Sequence, residues 1–244
     1  MTCSGSQFSK VAAGAAMLAL LLAGCPSARR APPAQTPMPA TLPAGLAPPA
    51  PGATRHVIGA GDSLIAFIVL RGGTLAAFGH NHVIAARSMA GVIDVQEPLT
   101  SSRFELHLPV AGFTVDEPQL RAGRGPGFES VVPDAARDGT RRNMLGADLL
   151  DAAQFPEIVV RAVSLEGGPR DFAARLAIEV RGTRHTIVVP VRLLRLSAAL
   201  VQVSARFPVD QTALGLTPFT AMLGALRVED TLTVEVALTA RRVP

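Results

Sequence analysis

The chain has 244 residues, 48% of them apolar, with 23 Lys plus Arg against 19 Asp plus Glu and a formal charge of +4; this suits one sizeable domain with appendages and excludes a disordered chain. The calculated pI is near 10.3, yet no basic block stands out and Trp and Tyr are absent, so the charge reads as a solvated surface and no nucleic-acid partner is expected. Lys10 is the only lysine, and a chain processed beyond it has no Walker lysine, Schiff base or pyridoxal site.

Residues 1–10 carry one positive charge, residues 11–22 are apolar, and Leu22-Ala23-Gly24 leads with small residues to Cys25. The apolar run is too short to span a bilayer and reads as a secretory leader over residues 1–24. Leu22-Ala23-Gly24-Cys25 resembles the bacterial lipoprotein lipobox, which implies cleavage before Cys25 and acylation of that residue. Cys3 falls in the leader, so the mature chain has no disulfide partner for Cys25. By the same resemblance, Pro26 in place of Asp directs the protein to the outer membrane. The expected location is therefore the periplasmic side of the bacterial envelope. Residues 25–54 form a Pro/Ala-rich tether, extended at ~3.1 Å per residue.

From residue 55 to 244 the pattern is that of strands. Residues 63–69 place Ile65, Phe67 and Val69 on one face; residues 75–84 follow the Gly72-Gly73 turn, then 91–95 and the alternation around Phe104, Leu106 and Leu108. Residues 116–156 interrupt. Gly123, Gly125 and Gly127 make a flexible loop with no phosphate-binding pattern, and residues 140–153, with Thr140 as N-cap and Leu145 and Leu149 at helical spacing, predict one helix. Strands resume at 157–164. In the next hairpin Leu176, Ile178 and Val180 alternate with polar residues up to Gly182-Thr183. A type II′ turn there sets Val180 opposite His185, Ile178 opposite Ile187 and Leu176 opposite Val189. Residues 200–207 and 232–240 complete about nine strands. Strands in hairpin succession without crossover helices favour an all-β, antiparallel meander closed as a barrel or stacked as a sandwich.

Six segments in order, Ser63-Leu64-Ile65-Ala66-Phe67, Phe78-Gly79-His80-Asn81-His82, Asn143-Met144-Leu145 with Leu150-Asp151-Ala152, Phe155-Pro156-Glu157-Ile158, the run from Leu176 to Thr183, and Arg206-Phe207-Pro208-Val209 with Leu214-Gly215, resemble the YceI-like family. The resemblance covers nearly all of 55–242 and implies a lipocalin-like, up-and-down antiparallel barrel whose apolar cavity binds a polyisoprenoid or other lipid chain without chemistry. The acyl anchor, the tether and a longer glycine-rich insertion depart from the plain family form.

The residues point the same way. Ile65, Phe67, Val69, Phe78, Leu176, Ile178, Ile187 and Val189 are the expected cavity lining, because a barrel of about eight strands either fills with side chains or holds one small ligand. A solid core, giving a structural or interaction domain, is the alternative. His80 and His82 are the sharpest polar feature. On extended backbone they face one side, where His56, His107, His185 or an acid could complete a metal site; otherwise they serve the barrel rim. Two local ligands fall short of a catalytic zinc set. No cofactor is expected, and no Gly-x-Ser-x-Gly elbow is present. Asp116-Glu117 and Glu229-Asp230 read as turn or surface residues.

Overall fold

The computed structural model describes residue 46 and residues 48–242, all within the second of two units, Pro37–Pro244. The leader, Cys25 and most of the tether lie outside the described residues. In chain order the strands are β1 (Thr54–Ile58), β2 (Leu64–Val69), β3 (Arg71–Gly72), β4 (His82–Ala86), β5 (Ala90–Val95), β6 (Arg103–Pro109) and β7 (Thr114–Val115). Two helices follow, α1 (Pro118–Arg121) and α2 (Asp134–Leu145), then β8 (Glu157–Gly167), β9 (Asp171–Val180), β10 (Thr183–Leu196) and β11 (Leu200–Asp210). The last are β12 (Thr220–Ala221), β13 (Leu226–Val228) and β14 (Thr231–Arg242).

Three of the barrel staves are broken strands. β1 and β2 both pair with the same side of β14, separated by a 3-10 turn at Ala60–Asp62. The break would strip Thr239 of its ladder partners, and a buried unpaired backbone group is costly. Gly59 N–H donates to Thr239 O at 3.1 Å and Thr239 N–H donates to the buried Ser63 Oγ at 3.1 Å, so the ladder stays satisfied across the kink. β4 and β5 likewise form one bent stave, as do β6 and β7 around Val110–Gly112. With each broken strand counted once, eight antiparallel staves follow in sequence order and the last closes on the first. The result is a lipocalin-like up-and-down β-barrel with no free edge between its first and last staves. A separate small sheet, β12-β13-β3, stands at one end.

The β9–β10 hairpin corrects the expected register. Val180 faces Thr183, Ile178 faces His185, Leu176 faces Ile187 and Ala174 faces Val189. The turn residues are Arg181 and Gly182, both with positive φ (50° and 70°), which is type I′ rather than II′. The slip is by two residues, so every side chain keeps its face. An added Cβ at Gly182 would lie 2.8 Å from Phe155 Cε1, in a backbone region that costs an L-residue ~1–2 kcal/mol. Gly182→Ala is therefore expected to destabilise the barrel by ~1–3 kcal/mol, read as a lowered denaturant midpoint with unchanged slope; an unchanged midpoint refutes it.

Two further expectations are corrected. The helix begins at Asp134, not Thr140, and ends at Leu145. Gly146 follows it, and Leu150 N–H turns back to Met144 O at 3.1 Å, so Leu149 and Leu150 reach the core from a turn instead of a helix face. Residues 75–81 are not strand: Ala76–Phe78 is a 3-10 turn, and β4 starts only at His82. The glycine-rich loop is pinned to the outer wall. Phe128 packs with Ala66 and Val83, and Arg124 pairs with Glu235 at 3.0 Å.

Candidate functional site

Alternation along each stave sends one set of side chains inward, and the inward sets leave space between them. A cavity of about 430 Å³ runs through the barrel, within the usual range for a small-molecule site, ~300–1,000 Å³. Ile65, Phe67 and Val69 line it from β2, Leu176 and Ile178 from β9, and Ile187 and Val189 from β10. Leu176, Ile178 and Ile187 are only half-buried because their inner faces meet the void. The filled barrel, one alternative reading of the sequence, is overturned by this space. Phe78 is the exception among the expected lining residues. The 3-10 turn carries it off the strand path, and its ring is 77% exposed on the outside.

Further lining comes from β11, where Val201, Val203, Ala205, Phe207 and Val209 face the lumen, and from β8, where Val160 and Ala162 do. A register shift between Ala162 and Ser164 flips the parity of β8, so the next lumen residue is Leu165. That is the action of a bulge. Period-two alternation in 201–209 carried this signal; the β8 bulge left none in the sequence.

Apart from Ser204 in β11, the polar lining gathers at the ends. Ser102 and Arg103 lie at the end where the N-terminal strand enters. His80, His82, Thr140, Asn143, Gln211, Arg71 and Arg227 lie at the other, beside α2 and the small sheet. The middle of the lumen is aliphatic and aromatic, with Phe67 stacked on Phe113 at 5.8 Å between centroids. A ligand with a polar head and a long apolar body matches this distribution.

The histidines at the second end have separate duties. Their rings are 6.2 Å apart, edge to face. His82 Nδ1–H donates to Asp116 Oδ2 at 2.6 Å, since an ionised carboxylate can only accept. Asp116 Oδ1 accepts from Val83 N–H at 2.9 Å and Arg121 at 2.8 Å. Arg121, itself buried, also donates to the carbonyls of Asn81, Phe128 and Ser130 and lies 5.3 Å over the Phe128 ring. Asp116 is 1% exposed at a left-handed φ of 54°, not a surface residue. Burial raises its pKa, but the hydrogen bonds from His82, Val83 and Arg121 outweigh that and hold it below the ordinary 3.8. Burial first, then His82, Arg121 and Arg71, lowers the pKa of His80. Thr140 Oγ1 is 3.4 Å from His82 Nε2.

The other histidines do not converge here. His107 is bracketed by Glu105 and Glu157 in a cross-strand charge ladder, His185 borders Gly215, and His56 is buried in β1. Among the described residues no group of three or more His, Cys, Asp or Glu is placed to hold a metal.

The family described as YceI-like domain matches residues 68–240. The chain belongs to the YceI-like family. Burkholderia cenocepacia BcnA superposes on this YceI-like barrel with a TM-score of 0.55 at 12% identity, covering 75% of this chain and 99% of that one. A polyisoprenoid-binding domain from Saccharophagus degradans, implicated in plant cell wall breakdown, superposes with a TM-score of 0.52 at 12% identity, over 78% and 99%. At such identities the likeness is one of fold. No curated protein matches the sequence.

Proposed function

We propose that this YceI-like domain binds one lipid or polyisoprenoid chain in its barrel without chemistry, held by acylated Cys25 on the periplasmic side of the bacterial envelope. The cavity of about 430 Å³ with an apolar middle carries the reading. Each methylene transferred from water to such a lumen gains ~0.8 kcal/mol, so a long chain binds through its body more than its head. Membership of the YceI-like family and the polyisoprenoid binding of the Saccharophagus domain support the same ligand class. The lipobox-like sequence ending at Cys25 supports the anchor, and two or more acyl chains are needed for stable retention.

Purification of the full chain from a lipid-containing host, followed by solvent extraction and mass spectrometry, is expected to release a lipid or isoprenoid in near-stoichiometric amount. No extractable chain, together with no uptake of isoprenoid quinone or fatty acid, refutes the proposal. For the anchor, Cys25→Ser is expected to abolish palmitate labelling of the protein in growing cells. Continued labelling places the acylation elsewhere.

A further inference from the structure

Three apolar side chains at the second end of the barrel have no role in the core. Phe78 is 77% exposed, Met222 66% and Leu223 108%. They occupy two neighbouring loops. β3 pairs with β13, Leu75 N–H donates to Ala225 O at 2.8 Å, and an added Cβ at Gly79 would touch Leu226 Cδ1. The inner face of the same loops is cavity wall, formed by Gly79, Phe219 and Leu226. Phe219 is both wall and partly exposed, so on this side the apolar lining reaches the tip, beside the polar groups that ring the same end.

The tip backbone is also costly. Met222 and Leu223 have φ of 51° and 56°, a region non-glycine residues avoid. A strained turn that presents its side chains bare to water has no explanation in folding, and such strain commonly marks a functional surface. Residues 71–80 and 216–228 contain no Asp or Glu; their charged residues are Arg71 and Arg227. Arg227 is about half exposed and loosely paired with Glu229 at 3.7 Å.

We propose that this tip is a portal that docks on a phospholipid bilayer, with Phe78, Met222 and Leu223 entering the acyl boundary and Arg227 meeting lipid phosphates. A convex apolar point with the half-exposed Arg227 at its side suits a fluid lipid surface, which closes around it; a second copy of the chain would have to offer a matching hollow. The sequence leading to β1 makes the docking reachable. A Pro/Ala-rich sequence of roughly 30 residues has a greatest possible reach of ~90 Å, against ~40 Å for the 12 residues of β14. The lumen would then open directly into lipid, and a chain could pass between the two without crossing water. The purpose of the docking rests on the lipid-binding reading above, but its measurement does not.

The absence of Trp and Tyr supplies a silent background for the test. Full chain carrying Leu223→Trp is mixed with phosphatidylcholine and phosphatidylglycerol vesicles, with and without bromine on the acyl chains. The comparison is Val163→Trp, at an exposed position on the outer wall of β8. The expected result is a vesicle-dependent blue shift and bromine quenching at 223 with neither at 163, and about tenfold more lipid needed for half the effect when Phe78→Asp is added. Because the anchor region can hold both variants near a bilayer, the reading is of which face inserts. No vesicle-dependent change at 223, equal changes at both positions, or a blue shift at 223 that grows with protein concentration alone overturns the proposal, the last in favour of a second copy. Insertion without extractable lipid overturns lipid binding alone; extractable lipid without insertion overturns docking alone.

Discussion

A tryptophan in place of Ile178 is expected to lower affinity for a fluorescent fatty acid by at least about tenfold while leaving the barrel folded. Ile178 lies between Val160 of β8 and His185 of β10, and its inner face borders the void. An indole directed there occupies the volume an acyl chain would use. Overpacking a full core costs ~1–3 kcal/mol, but here the added atoms enter space that is already empty and gain dispersion contacts with its wall. The melting temperature should hold or rise. Ala85 is the counterexample: it is fully buried and does not border the void, so Ala85→Phe should lose stability. Unchanged affinity in folded Ile178→Trp protein would mean that ligand binds outside the lumen.

Asp116→Ala is expected to be the most destabilising single change at the second end of the barrel. It leaves Arg121, 7% exposed, without its 2.8 Å carboxylate partner, and breaking a buried pair from one side costs ~3–5 kcal/mol. Val83 N–H and His82 lose their acceptor at the same stroke. Asp116→Asn, which keeps an acceptor but no charge, should cost less, ~1–3 kcal/mol. The sign of the pH dependence follows from the depressed pKa of Asp116. Its contribution is fully present above the unfolded value near 3.8 and is lost as pH falls through the lower folded value. The melting-temperature gap between wild type and Asp116→Asn should therefore be wide at pH 7 and narrow below about pH 4. A constant gap between pH 3 and pH 7 would show that the charge contributes nothing.

The staves of the barrel were legible because alternation is a local property. Leu176, Ile178 and Ile187 could be assigned to one face before their partners were known, and even a two-residue error in the turn left that face intact. The apolar run from Leu75 to Phe78 misled for the same reason in reverse: without neighbours, a 3-10 turn that displays Phe78 looks like a strand that buries it. Helix α2 hid its first half because Gly139 interrupts it and only Met144 in it is buried, so hydrophobic spacing pointed downstream to Leu149. The cluster around Asp116 was beyond reach. His82 and Asp116 are 34 positions apart, and nothing in either neighbourhood announces that a left-handed loop residue will reach under β4. The exposed tip at Met222 and Leu223 reads in sequence as an ordinary apolar stretch; only the fold shows that none of the described residues covers it.

The chain enters the barrel at Thr54, where β1 is flanked by β5 on one side and by the end of β14 on the other. Cross-strand bonds in such a pair lie perpendicular to the strand. A pull from the N-terminal side, along the strand direction, thus loads both rows together in shear, and they cannot be peeled one at a time. Drag on the domain is borne by the first stave as a whole, and the gripping point is among the mechanically strongest places at which a barrel of this kind could be held.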